Sequence, residues 1–164
     1  MKKKFLIVIP ARYNSSRFPG KPLIKILGVP MLLRTYNQCL KVAPKEKIIV
    51  ATDDKRILKL CSDNEVNCLM TSKNCLTGTD RIAEVSKKIK AAVYINVQGD
   101  EPVCNIGDLK KLIKLALKNP NEIINGYTKI IDKKQFYSGN IPKVVFRNDG
   151  RLLYQSRAGI PTTK

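Results

Sequence analysis

The chain has 164 residues, 43% of them hydrophobic, which is ordinary for a globular protein and enough for a core of its own. Its net charge is +18, from 31 basic and 13 acidic residues, and it has five cysteines, no tryptophan and no histidine. Without histidine, Ser-His-Asp and Cys-His catalysis and any imidazole base are excluded, and with no C-x-x-C pair a zinc site is not expected.

No apolar run approaches the length of a membrane span. Met1-Lys2-Lys3-Lys4 before Phe5-Leu6-Ile7-Val8-Ile9 imitates a signal peptide, but the run is short and Pro10-Ala11-Arg12 interrupts it without a clean cleavage site. A first core strand in a cytoplasmic protein is therefore expected. The scattered cysteines, Cys39, Cys61, Cys68, Cys75 and Cys104, suit a reducing compartment. The positive charge would suit a nucleotide, a nucleic acid or an anionic membrane. Because the lysines are dispersed and no tryptophan interleaves them, biased composition on exposed helix faces is the expectation, with neither nucleic acid nor membrane as partner.

Apolar β-rich runs alternate with helical periodicity along the chain. Phe5–Ile9 reads as a strand. Pro30 can open a helix whose apolar face is Met31, Leu33, Tyr36 and Leu40, running up to Pro44. Lys47–Ala51 is a second strand, and Asp53-Asp54 can cap a helix carrying Ile57, Leu58 and Cys61. Val66–Met70 is a third strand. Thr79 or Asp80 can cap a helix through Ile82, Val85 and Ile89. Ala92–Val97 is a fourth strand, followed by a helix with Leu109, Leu112, Ile113 and Ala116 that ends near Asn119-Pro120. Lys143–Phe146 and Leu152–Gln155 flank Arg147-Asn148-Asp149-Gly150, a hairpin signal, and no long linker is expected anywhere. The β-α-β-α order predicts an α/β domain with a mainly parallel sheet, and in such sheets ligands sit beyond the carboxyl ends of the strands.

Three segments could carry chemistry there. Residues 9–23, Ile-Pro-Ala-Arg-Tyr-Asn-Ser-Ser-Arg-Phe-Pro-Gly-Lys-Pro-Leu, leave the first strand with three cations, Arg12, Arg17 and Lys21, and with Ser15, Ser16 and Gly20 as hydroxyls and free backbone. That combination suits a triphosphate, although the spacing is not that of a Walker P-loop. Residues 96–102, Asn-Val-Gln-Gly-Asp-Glu-Pro, end a buried strand in two carboxylates. Magnesium prefers one or two carboxylates plus phosphate oxygens, and Asp100 is the natural ligand. Thr77-Gly78-Thr79-Asp80-Arg81 reads by itself as a helix start, where backbone donors could hold an anion or a base edge.

Together these segments, with Pro142-Lys143-Val144-Val145, Ser156-Arg157 and Ile160-Pro161, run in the order of the 3-deoxy-manno-octulosonate cytidylyltransferases, which the chain resembles along its whole length. The resemblance implies a Rossmann-like sheet of the nucleotide-diphospho-sugar transferase type with a C-terminal β-hairpin, in one cytidylyltransferase domain over 1–164. It implies that the anomeric hydroxyl of a 2-keto-3-deoxy sugar acid (Kdo or a close relative) attacks the α-phosphate of CTP, giving CMP-sugar and pyrophosphate for lipopolysaccharide or capsule synthesis. Such transfer depends on positioning and charge neutralisation, so a missing histidine is no obstacle. By the resemblance, Arg12, Lys21 and Asp100 carry catalysis, and Asp100 binds Mg²⁺. CTP is held by Ala11, Arg12, Ser15, Lys21, Thr77, Gly78, Thr79 and Arg81. Gln98 and Arg157 contact the sugar acid, Arg157 through its carboxylate.

The chain departs from the family at Cys75, where His is common, and at Thr77, where Ser is common. These changes leave open a different ulosonic acid. The family's second metal-binding Asp, its last core elements and part of its dimer surface are expected beyond Thr162-Thr163-Lys164, so the chain lacks the family's usual C-terminal third. The alternatives are a catalytically incomplete nucleotide-binding domain and a cytidylyltransferase for another sugar acid. A homodimer is an expected assembly.

Overall fold

The computed structural model describes residues 3–14 and 18–161. Ser15, Ser16 and Arg17, and residues 162–164, lie outside the described residues. The chain forms two compact units, Met1–Ile124 and Asn125–Lys164.

In the first unit, β1 (Lys3–Pro10) leads to a 3-10 turn at Lys21–Leu23. A two-residue hairpin follows, β2 (Lys25–Ile26) and β3 (Val29–Pro30), then α1 (Met31–Leu40), β4 (Ile48–Thr52) and α2 (Lys55–Asp63). The unit continues with β5 (Cys68–Met70), α3 (Gly78–Lys88), β6 (Ala91–Asn96) and α4 (Ile106–Lys118). The four longer strands form one parallel sheet in the order β5-β4-β1-β6. The parallel α/β sheet expected from the alternating pattern is the one observed.

The period of two along β1 divides the core. Phe5, Ile7 and Ile9 point to one face, where they join Leu32, Tyr36 and Cys39 of α1, Ile57 and Cys61 of α2, and Leu109, Ile113 and Ala116 of α4. Leu6 and Val8 point to the other face and pack with Ile49, Ala51 and Val85 of α3. Both faces are covered, which is why these strands read as unbroken apolar runs. The crossovers leave the strand ends Pro10, Thr52, Met70 and Asn96 on one edge of the sheet.

Some boundaries shift from the sequence expectation. The third strand starts at Cys68 rather than Val66, and α1 starts at Met31 and stops at Leu40, well before Pro44. The β2–β3 hairpin turns through Leu27 and Gly28, both at positive φ (47° and 78°). Leucine is a poor residue for that conformation, so no turn signal marks it. Arg34 steadies the turn by donating to the carbonyls of Ile26 and Leu27.

The second unit holds α5 (Lys133–Tyr137) and an antiparallel hairpin, β7 (Lys143–Phe146) with β8 (Leu152–Ser156). The expected Asp-Gly turn is present, with Gly150 at φ 86° and its N–H donating to the Arg147 carbonyl at 2.8 Å. The Lys143 ammonium is buried. It donates to the carbonyls of Ser138 (2.6 Å), Ile141 (2.9 Å) and Arg157 (2.7 Å), which uses all three of its protons. Residues 119–132 contain neither helix nor strand, a longer connection than the sequence suggested, and the unit boundary falls within it.

Candidate active site

The carboxyl edge of the sheet is drawn tight by backbone contacts. Past β1, the Ala11 N–H donates to the Ala51 carbonyl at 2.9 Å, and past β6 the Gly99 N–H donates to the Pro10 carbonyl at 3.3 Å. A Cβ on Gly99 would stand 3.0 Å from the Pro10 oxygen and 3.4 Å from the Ala11 Cβ, so a larger residue would press on the β1 backbone at this crossing. The Gly99 carbonyl in turn accepts from the buried Thr35 hydroxyl of α1 at 3.2 Å. The turn that presents Asp100 is thus held from two sides, by β1 and by α1.

Asp100 meets Lys21 there. The Lys21 Nζ lies 2.6 Å from Asp100 Oδ2, with both side chains about two-fifths exposed (38% and 45%). Lys21 sits in the first turn of the 3-10 segment, behind Gly20. Gly20 is at φ 75°, and a Cβ there would meet the Tyr13 ring at 3.0 Å. Gly20 therefore serves both the left-handed backbone and the close approach of the ring. Arg12 is exposed, and its guanidinium donates to the Leu76 carbonyl at 3.4 Å.

The Thr77–Arg81 segment opens α3, and the cap is Thr77 rather than Thr79 or Asp80. The Thr77 hydroxyl accepts from the Asp80 N–H, while the Asp80 carboxylate accepts from the Thr77 N–H at 2.8 Å and from its hydroxyl at 2.9 Å. This reciprocal capping box draws the Asp80 carboxyl below the usual carboxylate range. The Thr77 side chain is therefore engaged within the helix start. A Cβ on Gly78 would lie 3.1 Å from both the Gln98 side chain and the Pro10 ring, which places the α3 start against the ends of β1 and β6. The Gln98 amide donates to Asn96 Oδ1 at 2.8 Å, and Thr79 is exposed.

Arg81 is placed differently from a solvent-facing nucleotide contact. Its side chain is only 3% exposed. It donates to the Thr71 hydroxyl just past β5, to the Ser72 carbonyl at 3.5 Å, and to Asp53 Oδ2 at 3.1 Å just past β4. Asp53, Thr71 and Arg81 thus tie two strand ends to α3. The adjacent Asp54 caps α2, accepting the Arg56 N–H at 2.9 Å.

A cavity of about 330 Å³ opens among these groups. Four cations, Arg12, Arg56, Lys73 and Arg81, line it together with Asn14, Asp53, Asp54 and Cys75. Both carboxylates are already paired, Asp53 with Arg81 and Asp54 with Arg56. The remaining charge facing the cavity is positive, which suits an anion. Of these residues the family resemblance singled out Arg12 and Arg81 as ligand contacts. Arg56 and Lys73 carried no spacing signal, and Asp53-Asp54 registered as a cap at a strand end.

Cys75 donates its thiol to Glu84 Oε2 at 3.3 Å, and burial with this bond pushes the thiol's pKa up. Cys39 is buried and pushed up to about 12. Neither is poised as a nucleophile. Among the described residues no group of three or more Cys, Asp or Glu side chains could hold a metal by itself. The donor set at Asp100, a partly exposed carboxylate beside a lysine, fits magnesium arriving on a triphosphate rather than a protein-only cage.

Arg157 lies in the second unit. It is exposed and donates through Nη1 to the carbonyls of Gly139 (3.1 Å) and Asn140 (3.3 Å). Ser15, the remaining nucleotide contact implied by resemblance, lies outside the described residues.

The sequence profile of the cytidylyltransferases matches residues 6–164. The chain belongs to the cytidylyltransferase family. Among curated cytidylyltransferases, it is 40% identical over 162 residues to the 3-deoxy-manno-octulosonate cytidylyltransferase of Protochlamydia amoebophila, covering 96% of this chain and 62% of that protein. It is also 40% identical over 157 residues to the enzyme of the same name from Chlamydia pneumoniae, covering 94% and 62%. The solved structure of a CMP:2-keto-3-deoxy-manno-octonic acid synthetase complexed with CTP matches with a TM-score of 0.85 at 36% identity, over 98% of this chain and 66% of that one. This cytidylyltransferase chain therefore spans about three-fifths of the length of the curated relatives it matches.

Proposed function

We propose that the protein is a 3-deoxy-manno-octulosonate cytidylyltransferase, joining CMP from CTP to the anomeric hydroxyl of Kdo or a close relative and releasing pyrophosphate. The observation that carries this reading is the meeting of Lys21 and Asp100 on the carboxyl edge of the sheet, the edge at which Arg12 also leaves β1. It supplies a cation for a triphosphate and a carboxylate for its metal at one place. The names of these curated relatives and of the solved structure supply the substrates.

In this reading Arg12 and Lys21 hold the triphosphate and neutralise charge that gathers on the leaving pyrophosphate. Asp100 holds Mg²⁺, which when bound supplies charge neutralisation at the phosphates. Gly78, Thr79 and the backbone at Ala11 border the nucleotide. Arg81 contributes by fixing the α3 start and by lining the cavity. On the first unit Gln98 takes the sugar acid, and on the second the Arg157 guanidinium is suited to a carboxylate. The sugar oxygen attacks the α-phosphorus, the bond to pyrophosphate breaks, and the hydroxyl proton leaves to solvent.

The reading extends to a cytoplasmic homodimer serving lipopolysaccharide or capsule synthesis. Among the described residues no helix is long and apolar enough to cross a membrane. Leu152, Leu153 and Tyr154 on β8 are exposed, an apolar surface of the kind subunit contacts use. A pyrophosphate-release assay with CTP and a panel of eight- and nine-carbon sugar acids tests the activity. Turnover with Kdo above the rest supports it. Turnover with another acid reassigns the sugar, and CTP binding without turnover on any acid reduces the chain to a nucleotide-binding domain.

A further inference from the structure

We propose that Arg56 is a positioning residue that holds Tyr13 against Gly20 and thereby fixes the backbone that presents Lys21. The inference rests on the nucleotide-site reading for its consequence, but its geometry stands alone. Arg56 lies in the first turn of α2 and is fixed there by Asp54. Its Nε donates to Asp54 Oδ1 at 2.9 Å and its Nη2 to Oδ2 at 2.6 Å, a bidentate pair that sets the plane of the guanidinium. That guanidinium stacks over the Tyr13 ring, 3.2 Å from its centroid.

Tyr13 is the point where the loop is tied. Its carbonyl accepts the Gly20 N–H at 2.8 Å. Its ring edge fills the space where a Gly20 Cβ would stand, with Cε2, Cζ and the hydroxyl within 3.0–3.2 Å. Gly20 immediately precedes Lys21, whose ammonium reaches Asp100. The contacts thus run from the α2 cap through Arg56 and Tyr13 to Gly20 and Lys21. Arg56 needs no contact with ligand to act in this way. Neither Asp54 nor Arg56 was marked by the sequence as more than a helix start.

Hydrogen exchange at the Gly20 amide, measured by NMR or peptide-resolved mass spectrometry, tests the latch directly on the full chain. Arg56→Ala is expected to speed Gly20 exchange while leaving exchange in the β1 and β4 core unchanged. Tyr13→Ala should do the same, Tyr13→Phe should not, and Arg56→Ala added to Tyr13→Ala should have no further effect. Arg56→Lys, which keeps the charge but not the planar fork, should restore the latch only in part. The affinity for Mg²⁺·CTP, read by calorimetry, should fall about two- to fivefold in Arg56→Ala, the worth of an exposed cation–π stack spent on preorganising the loop. A role confined to capping α2 would lower the melting temperature without this selective exchange and would survive in the Tyr13→Ala background. Unchanged Gly20 exchange in Arg56→Ala overturns the proposal. Failure of the unmodified chain to bind CTP overturns the nucleotide reading instead, and the exchange result still judges Arg56.

Discussion

Lys21 and Asp100, 79 positions apart in the chain, bring an ammonium and a carboxylate oxygen to 2.6 Å. The pair is partly exposed, and such pairs contribute only about 0–1 kcal/mol to folding. Each member is therefore cheap to release to a better partner, Lys21 to a phosphate and Asp100 to a metal. Asp100→Asn is expected to change the urea midpoint little and to remove the Mg²⁺ dependence of CTP binding. Lys21→Met is expected to weaken CTP binding about 10- to 100-fold, the worth of one or more charged hydrogen bonds. Titration of CTP with and without Mg²⁺ on both variants checks this.

The buried pair of Arg81 with Asp53 behaves differently. With the Arg81 side chain 3% exposed, removing its partner strands a charge. Asp53→Ala should destabilise the first unit by about 3 kcal/mol in urea unfolding. Arg81→Met combined with Asp53→Ala should cost less than the two single changes added together, because neither charge is then left alone.

Thr77→Ala should cost about 1 kcal/mol through loss of the capping box, and Thr77→Ser should cost little because serine makes the same bonds. If CTP affinity drops more than stability in Thr77→Ala, the hydroxyl also meets the nucleotide.

The Arg56 side chain, ahead of the burial that opposes it, holds the Asp54 carboxyl below its ordinary value of 3.8. The unfolded chain then binds a proton that the folded chain does not, so this contribution to stability is present above pH 3.8 and lost as pH falls through the lower folded value. Asp54→Asn should therefore lower stability above pH 3.8 and flatten the acid limb below it, as equilibrium unfolding across that range would show.

The strands were legible because burial on both faces leaves an apolar signature. Phe5–Ile9 and Lys47–Ala51 differ from the observed strands by only a residue or two at their ends. The α3 cap was misplaced by two or three positions because Thr77, Thr79 and Asp80 are all good caps, and only the reciprocal bonds between Thr77 and Asp80 decide among them. The Leu27-Gly28 turn left no trace, since tertiary support from Arg34 replaces the usual turn residue. In the candidate site, Lys21 and Asp100 stood out because each follows a strand in a segment rich in glycine and charge. Arg56 did not, because an arginine beside an acidic cap looks like any solvated helix start, and Lys73 did not, because a lone lysine among polar loop residues looks like solvated surface. The enclosure of Arg81 by Asp53 and Thr71 is a relation between two strand ends and a helix that no local pattern carries.

The central claim is a CTP site organised around Lys21 and Asp100, and calorimetric titration of the full chain with CTP, ATP, GTP and UTP in the presence and absence of Mg²⁺ tests it most directly. The account predicts binding of CTP in preference to the other three, strengthened by Mg²⁺, with the strengthening lost in Asp100→Asn. Equal affinity for all four nucleotides, or a Mg²⁺ effect that survives in Asp100→Asn, would contradict it.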